Sequence, residues 1–135
     1  MIRTALLACL FVFAVPSHAA DAIPPHLVGV WGTHKAVLRG EALFEGQGLY
    51  LDTDGVGAII GGPPPIGVRI VATYNSDTNV ITLQMTEHGK TVRNGTLKYD
   101  PARKIITDER VEFHRRFDRF SASTRKALGL EAKLQ

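Results

Sequence analysis

Residues 80–86, Val-Ile-Thr-Leu-Gln-Met-Thr, alternate without a break: Ile81, Leu83 and Met85 on one side, Thr82, Gln84 and Thr86 on the other. A period of two puts successive side chains on opposite faces, so this stretch has one dry face and one wet face. That is the pattern of an antiparallel strand and not of a helix. The same text recurs along the chain. Residues 66–74 place Ile66, Val68, Ile70 and Ala72 on one face. Leu49-Tyr50-Leu51 runs through Asp52-Thr53-Asp54-Gly55 into residues 56–60, and Asp-Gly between two apolar runs is a strong hairpin signal. Residues 27–38, 96–100, 104–108 and 110–117 complete a set of about eight strands spaced roughly 8–12 residues apart. The expected fold is all-β: an antiparallel up-and-down barrel, or a barrel-like meander, with a sandwich as the other arrangement of such strands.

An internal echo supports the meander. Tyr74-Asn75 followed by Val80-Ile81-Thr82 returns as Tyr99-Asp100 followed by Ile105-Ile106-Thr107. Each copy reads as a strand end, a turn and a strand start, and two copies are too few for a propeller or solenoid. Gly61-Gly62-Pro63-Pro64-Pro65 is expected to lie outside any central strand, because prolines remove ladder donors. At the C-terminal end, Ser121 or Ser123 caps a short helix expected over residues 124–134, with Gly129 interrupting it. With 135 residues and 44% hydrophobic content, the chain has enough apolar material for one domain and too little length for a multi-part enzyme.

The first 20 residues read as a targeting segment. Arg3 precedes 11 apolar residues, 5–15, then Pro16 and the small residues Ser17 and Ala19. That is the three-part layout of a secretory signal, cut after Ala19, and it is too short to span a bilayer. Leu6-Leu7-Ala8-Cys9 has the look of a lipoprotein box, but too few apolar residues precede it, so Cys9 reads as a plain hydrophobe. The expectation is export to the periplasm or beyond the cell, with no transmembrane segment after cleavage. Domains follow: signal peptide 1–19, extended leader 20–26, barrel 27–120, helix and tail 121–135. Cys9 is the single cysteine, so disulfides play no part.

Net charge is +3, unevenly spread: residues 20–102 carry 6 Lys/Arg against 8 Asp/Glu, and residues 103–135 carry 9 against 5. A nucleic-acid binder would carry more charge with interleaved aromatics, so none is expected. The mature histidines, His26, His34, His88 and His114, have no metal-ligand spacing, although His34 and His114 come to one face if the first and last strands pair. Asp52-x-Asp54-Gly55 lacks the remaining ligands of a calcium loop. No cysteine nucleophile, Gly-x-Ser-x-Gly elbow or phosphate loop is present. No cofactor or metal is therefore expected, and the chain reads as non-catalytic.

Two motifs stand at the ends of the strand region. Gly29-Val30-Trp31 lies on the first strand and Phe113-His114-Arg115-Arg116 on the last. Alternation puts Val111, Phe113, Arg115 and Phe117 on one face, and an inward guanidinium stacks well on an indole. With these motifs the chain resembles the calycin-type barrels, the lipocalins and their small bacterial lipocalin-like relatives. The resemblance implies a barrel closed where first and last strands meet, with Arg115 packed across Trp31. It also implies an interior apolar ligand site, and it leaves residues 39–47 as a shortened lid loop.

Two functions follow. In one, Trp31, Arg115 and Phe113 bind a ligand or close the barrel, and the protein holds a small apolar or amphiphilic molecule. In the other, the barrel is filled and acts on an envelope protein through its surface, with Pro63, Pro64 and Pro65 as a recognition loop beside the basic end. Whether the interior is empty separates them.

Overall fold

The structure, a computed structural model, describes residues 23–64, 66–88 and 90–130. The expected signal peptide, Cys9, Pro65 and the last residues of the expected helix lie outside the described residues.

Nine strands form one antiparallel sheet: β1 (Gly29–Gly32), β2 (Val37–Arg39), β3 (Ala42–Leu51), β4 (Val56–Gly62), β5 (Ile66–Asn75), β6 (Val80–Glu87), β7 (Lys90–Asp100), β8 (Ile105–Thr107) and β9 (Glu112–Phe117). Their order is β1-β9-β8-β7-β6-β5-β4-β3-β2, and β1 also pairs with β3. That second pairing closes eight strands into a barrel and leaves β2 as an extra strand on β3. From β2 onward every connection joins neighbouring strands, so alternate turns gather at opposite ends. One end carries the turns β3–β4, β5–β6 and β7–β8; the other carries β4–β5, β6–β7 and β8–β9.

The expected residues fill the interior. Trp31, Leu49, Leu51, Ile70, Ala72, Ile81, Leu83, Leu97, Tyr99, Ile106 and Phe113 form one buried cluster. The echo in the sequence is a repeated turn. Asn75 Oδ1 accepts from the amides of Asp77 and Thr78, and Asp100 Oδ1 accepts from those of Ala102 and Arg103. Each turn closes on a left-handed residue, Asn79 (φ 60°) and Lys104 (φ 59°), whose amide returns to the carbonyl of Asn75 or Asp100. Side-chain capping by Asn and Asp is what lets both loops turn without a glycine.

Four expectations need correction. Residues 42–47 are strand, not loop, because β3 begins at Ala42 and pairs there with β2. β7 begins at Lys90, six residues before the expected start, since it stays paired with β6 along its whole length. Gly61 and Gly62 belong to β4, paired with Gln47 and Gly46, so the ladder runs to Gly62 and Pro63 and Pro64 lie beyond it. Phe117 does not share a face with Phe113: the β1–β9 register jumps from Trp31↔Arg115 to Val30↔Phe117, and the bulge at Arg116 reverses the parity.

A second buried cluster lies outside the barrel wall: Val30, Ala36, Leu43, Tyr50, Ala58, Ile60 and Leu130, with Leu38, Phe120 and Leu128 against it. Leu43 joins this cluster although its parity matches the inward Leu49 and Leu51. The reversal falls where the β2–β3 register shifts from Leu38↔Leu43 to Val37↔Glu45, which leaves Phe44 as the extra residue; nearby, a Cβ on Gly46 (φ 90°) would stand 2.7 Å from the Ala36 backbone. The C-terminal segment covers the cluster through α1 (Ala122–Ala127), capped by Ser121 and ended by Gly129 (φ 73°). The helix is thus shorter at its C-terminal end than expected. Glu41 accepts from the Ser121 amide and hydroxyl and from the Thr124 hydroxyl, and Arg125 bonds Asp52 (2.7 Å) and Asp54 (3.0 Å).

The Ser121 amide, followed by the Thr124 hydroxyl, holds the Glu41 carboxyl below its ordinary value of 4.5. A lowered folded-state pKa stabilises the docked helix above about pH 4.5, and that contribution disappears as pH falls through the folded value. Thermal midpoints of wild type and Glu41→Gln are expected to differ at pH 6 and to converge toward pH 3 (roughly the range over which an ordinary carboxylate protonates). A gap that stays constant over that range would contradict the account.

Candidate functional site

The structure brings Trp31, Arg115 and Phe113 together at the barrel seam. β1 is only four residues long, yet it pairs with β3 through Gly29↔Leu51 and Trp31↔Leu49, and with β9 through Trp31↔Arg115. Trp31 is 1% exposed, and its Nε1 donates to the Leu27 carbonyl at 3.0 Å. The Arg115 guanidinium sits over the indole, with Cζ 5.7 Å from the ring centroid. Its Nη2 donates to the carbonyls of Pro25 (2.8 Å) and Val28, and its Nε is buried 3.8 Å from an Asp118 carboxylate oxygen. A cation in this position is held by carbonyl dipoles and a π-face together, with its Nε left without a hydrogen-bond partner among the described residues. Gly29 explains the remaining letter of the motif: at φ 141° it passes the β9 end so closely that a Cβ would lie 2.1 Å from the Phe117 carbonyl.

These contacts fasten residues 23–28 across one end of the barrel. Ile23 and Leu27 enter the interior cluster. His26 meets Tyr99 at a tilt (5.0 Å between centroids) and Tyr74 edge-on (5.9 Å), the two tyrosines of the repeated turn. This end is closed. The adjacent Arg116 holds the other end of β1, donating to the carbonyls of Thr33 (2.8 Å) and Ala36 (3.3 Å). The sequence reading missed this second clamp, because a solvent-facing Arg next to an inward one carries no separate signal.

The opposite end is open. Ile59, Met85 and Val111 point inward there but are only half-buried against the top of the interior cluster. Val68 pairs with Ile59 in the wall, and Ile66 beyond it is 70% exposed. Together they form a shallow apolar cup. Pro63 and Pro64 stand exposed in the β4–β5 turn at this end, away from Trp31 and Arg115. Beside the cup the β8–β9 turn, residues 108–111, stands between two grooves. One, of about 430 Å³, is lined by His34, Lys35, Gln47, Val111, Glu112 and His114. The other, of about 680 Å³, is lined by Thr96, Lys98, Thr107 and residues 108–110.

His34 and His114 do meet, in the smaller groove, with His114 Nε2 3.7 Å from Glu112. Among the described residues no three His, Cys, Asp or Glu side chains gather as a metal centre. Of the basic end, Arg115, Arg116 and Arg125 are all engaged with other parts of the chain. Scans against protein-family models, curated proteins and solved structures return no match for this chain.

Trp31→Ala is expected to lower stability by about 3–5 kcal/mol, as for other buried large-to-small changes. Arg115→Ala is expected to cost about 2 kcal/mol, more than Arg116→Ala at about 1, because the first strips the part-buried Val28 carbonyl and a buried indole face of a charged donor. Urea unfolding of the three variants checks the order. Equal losses for the two arginines would mean that the seam does not depend on the inward cation.

Proposed function

We propose that this barrel is a non-catalytic binding module, acting outside the cytoplasm, that holds the apolar part of a small apolar or amphiphilic molecule at its open end. The observation that carries the reading is the cup itself. Ile59, Val68, Met85 and Val111 are inward-facing apolar side chains left half-buried among the described residues, above inward positions such as Leu49, Ile70, Leu83 and Phe113 that are packed dry. Covering such side chains is favourable by about 25 cal/mol per Å² of apolar surface removed from water. The closed end gives the cup a rigid floor, since Trp31, Phe113 and Leu83 below it are packed and 4% exposed or less.

Location outside the cytoplasm rests on the composition of residues 1–20. A second reading, a filled barrel acting on an envelope protein through its surface, draws support from the packed interior below Met85. The exposed Pro63–Pro64 turn would belong to that surface, its restricted backbone having little entropy to lose on binding.

Native mass spectrometry of protein isolated without denaturation is expected to show a discrete added mass that denaturation removes. An anilinonaphthalene sulfonate probe is expected to bind saturably at one per chain, with Met85→Glu weakening it about tenfold by placing a charge in the cup. A bare mass together with no saturable probe binding would contradict the amphiphile reading and leave the surface reading.

A further inference from the structure

The barrel wall is incomplete beside the cup. β8 spans only Ile105–Thr107 and pairs with β7 at Lys98, Tyr99 and Asp100. β7 continues back to Lys90, and among the described residues its first eight, 90–97, pair with β6 alone. The direction of the backbone groups follows from one bond: the Tyr99 amide donates to the Asn79 carbonyl, on the β6 side. Alternation then aims the amides and carbonyls of Lys98, Thr96 and Asn94 away from β6. Lys98 lies opposite Thr107 of β8. Thr96 and Asn94 lie beyond the end of β8, and Thr96 lines the groove of about 680 Å³.

We propose that this β7 edge is a docking site for an extended acidic peptide segment, which adds a strand to the sheet there. The backbone of Thr96 and Asn94 supplies the ladder, as in other cases of strand addition. The occupant is assigned by charge. Residues 90–98 carry Lys90, Arg93 and Lys98 and no acidic residue, and the facing β8–β9 turn adds Asp108, Glu109 and Arg110, so four cations stand against two carboxylates. A second copy of the same edge would bring the six cations of two β7 strands onto one ribbon, whereas an acidic segment neutralises them. Arg93 lies opposite Met85, on the inward face of the sheet, and Lys98 lies opposite Val80, on the outward face. Carboxylates on both faces of the added strand therefore find a cation. The 56% exposed Val92 adds an apolar contact at the same edge.

This inference does not depend on the amphiphile reading, because the edge offers backbone groups of β7 whereas the cup is made of apolar side chains from other elements. The test uses a peptide alternating Glu and Val over about eight residues, a length that covers one strand, with a Lys–Val peptide as its counterpart. Fluorescence anisotropy is expected to show saturable binding of the Glu–Val peptide and none of the Lys–Val peptide. Thr96→Pro removes an outward amide without touching the β6 ladder and is expected to weaken binding about tenfold or more, the usual size of a lost backbone hydrogen bond at an interface. Ile59→Glu, which places a charge in the cup from β4, three strands away from β7, is expected to leave peptide binding within about threefold, so loss of probe binding and loss of peptide binding report on different surfaces. Absence of Glu–Val binding, or equal binding by Thr96→Pro with its fold intact by circular dichroism, would overturn the proposal. A concentration-dependent dimer abolished by Thr96→Pro, without peptide binding, would also overturn it and assign the edge to a second copy.

Discussion

A four-residue strand closes this barrel, and the two arginines of β9 hold it in place. β1 has too little length to bind both neighbours firmly by ladder hydrogen bonds alone. Its N-terminal approach is fixed by Arg115, through the carbonyls of Pro25 and Val28, and its C-terminal exit by Arg116, through those of Thr33 and Ala36. Successive residues of a strand face opposite ways, so two adjacent arginines reach both ends of a short partner from opposite faces. The Trp31 indole, bonded to Leu27 and covered by Arg115, joins the clamp to the hydrophobic interior.

The clamp also makes the two ends unlike. At one end the chain before β1 is drawn across the opening, and Ile23, Leu27 and His26 close it against the tyrosines of a repeated turn. At the other end β1 stops at Gly32, β8 stops at Thr107, and the wall is left open beside Met85 and Val111. Exposed apolar groups and unpaired backbone groups therefore gather at one end, where the proposed binding surfaces lie. The C-terminal helix does not compete for that end; it covers a separate apolar patch on the outside of β1, β3 and β4.

Much of this was legible in the residues. Period-two alternation in residues 66–74 and 80–86 gave the sheet, and the Gly-x-Trp and Phe-x-Arg pair placed the seam with its cation over its indole. What escaped reading had physical causes. Residues 90–95 are exposed or nearly so on both faces, so no alternation marks them as strand. Residues 42–48 hold two glycines and reverse their inward face at Phe44, where the β2–β3 register shifts. The bulge at Arg116 flips Phe117 outward, and a bulge adds one residue without any signature of its own. The cup was invisible because Ile59, Val68 and Met85 are spelled like any core residues; only the missing packing above them distinguishes their role.

The central claim is that β1, clamped at both ends, is the keystone of the barrel, while the start of β7 is a solvated edge. Native-state amide hydrogen exchange tests it directly. The account expects the β1 and β9 seam amides, those of Val30, Trp31 and Arg115, to exchange only through global unfolding, and the Asn94 and Thr96 amides to exchange by local fluctuation many orders of magnitude faster. Fast exchange along β1, with slow exchange at Asn94 and Thr96, would contradict both halves of the claim.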